Sequence, residues 1–291
     1  GGGGHNWAGK QYSTIVGGLL NKVIGDGTRG FIGGGRDNTL SGINAVIGGG
    51  GYHSVAGTGS TVAGGESNEI TAHYSSCGGG YSNIIGHDYA TISGGSDNYI
   101  SQSLATIGGG STNQAGAIGS TIAGGLEQKV GGYASFIGGG HGNTALGQYA
   151  SINGGKVNHV NSDYASCGGG LDNSISSFST YAIVAGGTEN EASGTSIGAS
   201  ILGGWSNTVQ SSYGTIGGGM SNTVSGGLSS VVAGGRQNVV TGAYSAVSGG
   251  RINSVVAAYS SIGGGRTNSV FGDFSTVVGG NTNVVANNSG V

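Results

Sequence analysis

The sequence contains no proline in 291 residues, and only 7% of its residues are charged, against about 25% in ordinary domains. There are 2 cysteines, 1 methionine and no long apolar run. A membrane-spanning helix needs about 20 consecutive apolar residues, so no membrane insertion is expected of this stretch. With a net charge of −3 and no basic stripe, nucleic acid is not an expected partner. Glycine is abundant, at 71 residues, but collagen requires it at every third position together with proline. Plain disorder is not expected, since β-branched residues recur at fixed intervals. No signal peptide is visible at Gly1. The chain opens and closes inside a repeating pattern, which reads as a segment of a longer protein.

The repeat is anchored on an asparagine preceded at three and four residues by a Gly-Gly pair. It falls at Asn6, Asn21, Asn38 and Asn68, and continues as far as Asn268 and Asn283. Ser54 and Gln128 are read as filling the slot in two further copies, giving 19 in all. The usual step between anchors is fifteen, with occasional steps of 14, 16 or 17. Two residues after the anchor the side chain is apolar (Val23, Ile70, Ile100, Val224). Six residues before it an apolar side chain recurs (Ile15, Ile92, Ile122, Ile262), and two residues before that a small one (Ser60, Ala90, Ala150).

Small, polar and apolar residues in alternation have the period of a strand with one face inward. Each copy therefore predicts two short strands, one ending at the Ile or Val before the glycines and one starting at the asparagine. The Gly-Gly pair makes the corner, where positive φ is tolerated. Such short strands become stable when each bonds to its counterpart in the next coil. The fold class is thus all-β, a parallel β-solenoid of about 19 fifteen-residue repeats, with asparagines stacked in a ladder. One copy per coil is the main reading, and two copies per coil the alternative. The whole of residues 1–291 reads as one repeat array.

About three inward side chains per coil is a thin core. Backbone ordering costs about 1–2 kcal/mol per residue, so neighbouring chains are expected to cover the remaining surface. Cys77 and Cys167 occupy the apolar slot six copies apart, beyond disulfide reach in a one-copy coil, and read as small buried apolar residues.

The stretches from Tyr89-Ala90-Thr91-Ile92 to Asn98, and from Tyr259 to Val270, resemble head repeats of trimeric autotransporter adhesins, the YadA-like family. Similar glycine-rich repeats occur in tail-fibre proteins of bacterial viruses. The resemblance runs from Gly1 to about Val285. It implies a left-handed parallel β-roll, a homotrimer, and attachment at a cell or virion surface, outside the cell. The chain departs from the family in its fixed Gly-Gly pair, in having few copies of Asn-Ser-Val-Ala-Ile-Gly, and in lacking a heptad stalk or membrane anchor. Adhesin and tail fibre both remain open on these residues.

Catalytic, cofactor and metal residues are not expected. No phosphate-loop string occurs, and the aspartates do not follow a nine-residue calcium repeat. His5, His53, His73, His87, His141 and His159 lack metal-ligand spacing and read as solvated. The candidate ligand or inter-chain contact residues are outward aromatics. Tyr74, Tyr89, Tyr149, Tyr164, Tyr244 and Tyr259 share one slot, nine residues before the anchor. Trp205 sits in the slot two before the anchor, which also holds Arg236, Arg251 and Arg266 and reads as a solvated edge able to meet an acidic glycan. Stapling of coils or an inter-chain contact is the first reading of the tyrosines, and a platform for a host-surface glycan or receptor the second. The leading function is a non-enzymatic structural fibre. A self-assembling extracellular filament, an ice-binding solenoid using Thr91, Thr106 and Thr121, and a polysaccharide-acting enzyme are the alternatives.

Overall fold

The computed structural model describes residues 2–286. It is all-β, with no helix among them. The chain forms two compact units, Gly1–Gly142 and Asn143–Val291, built by the same rule.

In the first unit one ladder of two-residue strands runs from Trp7–Ala8 to Lys129–Val130, and a second from Thr14–Ile15 to Phe136–Ile137. In the second unit the corresponding ladders run from Thr144–Ala145 to Val284–Val285 and from Ser151–Ile152 to Thr276–Val277. Within each unit pairing is parallel and joins each copy to the next: Thr91 with Thr106, Tyr99 with Gln114, Ser254 with Ser269. One copy is therefore one coil. Two copies per coil would have paired strands two copies apart. Together the units hold about 19 turns of a parallel β-solenoid, as the spacing predicts.

Two details differ from the sequence reading. The second strand of each copy begins one residue after the asparagine, as in Tyr99–Ile100 after Asn98. A third line of single bridges joins the residues two before the anchor, such as Glu66–Tyr81–Ser96 and Arg236–Arg251–Arg266. That slot reads as free because its side chains vary, but its backbone is paired.

Two corners of each coil hold a residue in the left-handed region, one and nine positions before the anchor. Asp97 (φ 55°) and Tyr89 (φ 59°) are one such pair. For a non-glycine residue this is uncommon, and its effect is on bonding direction. Ladder N–H groups normally donate to the following coil, as Thr91 does to Ala105 at 3.0 Å. The left-handed residues donate backwards, Asp97 to Tyr81 at 2.9 Å and Tyr89 to His73 at 3.0 Å. Each coil is thus tied in both directions, which satisfies donors that would otherwise point into a corner. The second glycine of the pair is indispensable. Gly95 has φ +90°, and a Cβ there would lie 2.1 Å from the Gly110 carbonyl oxygen, whereas a Cβ on Gly94 meets nothing.

The interior is fuller than three side chains per coil. In the coil of Asn68, Ser60, Val62, Asn68, Ile70 and Ala72 are all buried. The asparagines form the expected ladder. Asn98 donates from its backbone N–H and from Nδ2 to Asn83 Oδ1, at 3.1 and 3.0 Å. Its Nδ2 also reaches the carbonyls of Gly94 and Gly110 at 3.1 and 3.0 Å, and its Oδ1 accepts the N–H of Asn113 at 3.1 Å. Serines make a second polar line at the opposite corner. Ser60 Oγ accepts the N–H of Ser75 at 3.1 Å while donating to the Ala72 carbonyl at 2.7 Å.

One slot assignment is corrected. His53, not Ser54, stands in the anchor position, because its N–H donates to Asn38 Oδ1 at 3.0 Å and its Nδ1 accepts the N–H of Asn68 at 3.1 Å. Ser54 instead opens the following strand, with its side chain exposed. The copies on either side then keep the usual step of fifteen, and steps of 14 disappear. His53 is also only 1% exposed, which overturns its reading as a solvated histidine. Cys77 and Cys167 are free and buried in the Ile/Val slot, in agreement with their reading as small apolar residues.

Candidate functional site

The outward tyrosines are built by the corner that carries them. Left-handed backbone at this slot turns each side chain out of the coil, and in-register stacking sets the next ring one coil rise away, about 4.8 Å. Tyr74 and Tyr89 stack with centroids 5.5 Å apart and planes 12° from parallel. Tyr149 stacks on Tyr164 at 5.1 Å, and Tyr164 on Tyr181 at 5.2 Å. Tyr244 stacks on Tyr259 at 5.2 Å, and Tyr259 on Phe274 at 5.0 Å. The six tyrosines singled out from the sequence are therefore brought together as three pairs, two of them extended by a third ring. Each remains about half exposed, between 46% and 58%.

Stacked rings cover one another's faces, so solvent meets bands of ring edges and phenol hydroxyls. The lower face of the first pair is covered as well. A Cβ on Gly59 would lie 2.9 Å from the Tyr74 ring, which places that ring over the glycine of the preceding coil. A sugar ring laid flat on an aromatic face finds few free faces here. A polar ligand bridging a row of hydroxyls is better matched.

Trp205 does not join this group. It lies on the bridge line between Thr188 and Met220, and its Nε1 donates to Glu189 Oε2 at 3.0 Å. The same line carries an ion pair at Arg36–Asp37 (3.0 Å), with the Arg36 guanidinium 4.9 Å from the Tyr52 ring centre. The threonine column is in register from Thr91 through Thr106 to Thr121 and is then broken by Phe136.

The most unusual electrostatic environment is internal. Burial lowers the pKa of His53 below 6.5, opposed by the carbonyls of Gly65 and Gly49 and by the charge of Glu66. Because Nδ1 accepts the Asn68 N–H, the ring proton belongs on Nε2. That atom is buried near the carbonyls of Gly65 and Gly49 but makes no well-formed hydrogen bond. Burial also raises both cysteine thiols, which leaves them poor nucleophiles. Among the described residues no three His, Cys, Asp or Glu side chains come together to hold a metal ion, and no helix is long and apolar enough to cross a membrane.

Sequence reasoning missed His53 because four consecutive glycines, Gly48–Gly51, allow two frames, and either Val55 or Ala56 satisfies the apolar rule. The left-handed backbone under the tyrosines has a usable signal, since the same slot holds Gly59, Gly119 and Gly198 in other copies. No family model matches the chain, and no curated protein matches it in sequence.

Proposed function

We propose that this chain is a non-enzymatic structural segment of an extracellular fibre, the shaft or head of a surface adhesin or viral tail fibre, assembled as a homotrimer. The observation that carries this reading is the coil itself. Within each unit every copy bonds to the next through its strands and bridge line, and nearly all do so through the anchor asparagine as well, with His53 and Gln128 standing in its place in two copies. Such a molecule transmits length and presents repeated surface features. The trimer and the cell or virion surface follow from the resemblance to adhesin head repeats. Exposed apolar side chains in several columns, among them Ile84, Tyr99, Phe136 and Ile183, offer neighbouring chains surface to cover. The fuller interior means that a single chain needs such neighbours less than a three-residue core would.

The test is mass and shape together. Light scattering on the purified chain should give three times the chain mass of 27.9 kDa, and negative-stain micrographs should show elongated particles of one width. A monodisperse species at the mass of a single chain would remove the trimer, and round particles would remove the fibre.

A further inference from the structure

We infer that the arginine ladder Arg236–Arg251–Arg266 is a binding site for a linear sulfated polysaccharide. The chain has only 9 lysines and arginines, and three of them occupy consecutive positions of one bridge line. Their backbones are fixed in register by the ladder: Arg236 donates to Gly250, Arg251 to Gly265 and Arg266 to Gly280, each at 2.9 Å. All three side chains are exposed.

Like charges set directly opposite each other destabilise a sheet, and here three stand in a row with nothing to offset them. The neighbouring slot holds Gln237, Ile252 and Thr267, where the isolated Arg36 has Asp37. From Arg236 onwards the only acid is Asp273, and its Oδ1 is engaged at the other corner by the Ala258 N–H at 2.9 Å. Among the described residues none of the three guanidiniums has an ion-pair or side-chain hydrogen-bond partner. A row of unneutralised forks at constant pitch is a template for a polyanion, since guanidinium binds oxyanions through two parallel N–H donors.

The geometry favours a polysaccharide over nucleic acid. An extended pyranose chain advances by close to one coil rise per sugar, so the sulfates along one of its edges keep a spacing commensurate with the arginine ladder. A duplex winds its phosphates away from a straight ladder within a few residues. Single-strand sites pair basic grooves with aromatic platforms, and the residues beside these arginines are not aromatic. The inference requires only the coil ladder of the second unit and does not rest on the fibre reading.

Binding of the full chain to a heparin decasaccharide, its desulfated counterpart and a single-stranded oligothymidylate, measured by calorimetry over a range of salt, tests it. The sulfated sugar should bind, the desulfated one at least about tenfold more weakly. R236Q/R251Q/R266Q should lose at least about tenfold, and the slope of log K against log salt should fall by about one per arginine removed. K156Q, an isolated cation in the same slot, should change binding less than about twofold. Relief of repulsion predicts that the triple variant melts no lower than the parent. If it does not fold, R251Q alone carries the same test with a smaller loss. Triple-variant binding equal to the parent's, indifference to desulfation, or tighter binding of the oligonucleotide would each overturn the assignment.

Discussion

At the glycine–asparagine corner every coil is built alike, whereas the corner that carries the tyrosines changes from coil to coil. Between the strand that precedes the glycines and the strand that follows the asparagine there are six residues in every copy, as from Ile92 to Tyr99. Around the other corner the connection is five residues, as from Ile100 to Thr106, but seven from Val23 to Phe31 and six from Val224 to Val231. The difference follows from what each corner buries. At the first, an amide side chain, or the imidazole of His53, is enclosed and ties neighbouring coils together, so one extra residue would break bonds to both neighbours. At the second, backbone turns outward and the buried side chain is small. In the copy of Asn21 the longer connection buries two glycines, Gly27 and Gly30, and pairing resumes in register at Phe31. Insertions are tolerated where they disturb no ladder.

The largest predicted effect breaks the invariant corner. Gly95→Ala must adopt left-handed backbone and place a Cβ 2.1 Å from the Gly110 oxygen, so it should cost more than about 4 kcal/mol. Gly94→Ala, one residue away with open space around its Cβ, should stay within about 1 kcal/mol. Denaturant unfolding of the two variants reads the contrast, and equal losses would show that the pair acts as a unit. Next in size is Asn98→Ala. It orphans the buried N–H of Asn113, bonded to Asn98 Oδ1 at 3.1 Å, and should cost about 2–4 kcal/mol. Amide exchange should accelerate first at Asn113, and at distant coils least, because a solenoid couples nearest neighbours.

His53 tests whether the asparagine slot needs an amide or only an acceptor. The imidazole reproduces the acceptor but leaves Nε2 without a well-formed hydrogen bond. Its pKa is lowered in the folded chain, so below 6.5 the unfolded chain binds more protons than the folded one. The stability it contributes is present above 6.5 and is lost as pH falls through that value towards the depressed folded pKa. Protonating Nδ1 also sets a donor against the Asn68 N–H. Melting of wild type should therefore fall relative to His53→Asn as pH drops from 7 to 5, and His53→Asn should be the more stable at either end. Parallel curves would mean that the ring is not enclosed.

Much of this architecture is legible in the residues. The Ile/Val slots, the period and the asparagine ladder are readable because each imposes a side-chain type. The bridge line at Arg236, Arg251 and Arg266 is invisible to that reading, since its pairing uses only backbone. The tyrosine column is visible as a column, but its left-handed backbone shows only through Gly59, Gly119 and Gly198 in the same slot, because bulky residues rarely occupy that region. His53 is hidden by a run of glycines that fits two frames.

The smallest effect sharpens the comparison at the permissive corner. Tyr164 stacks on Tyr149 and Tyr181 at 5.1 and 5.2 Å and sits at φ 56°. Removing the ring should cost about 0.5–1.5 kcal/mol per stacked pair. Glycine recovers part of this, because it occupies left-handed backbone without strain, as Gly119 and Gly198 do in the same slot. Tyr164→Gly should therefore be more stable than Tyr164→Ala, by about 1 kcal/mol, the reverse of the order expected inside a strand. Thermal melts of the two variants decide it. Alanine above glycine would mean that the corner is not held left-handed, and would remove the physical reason for its tolerance.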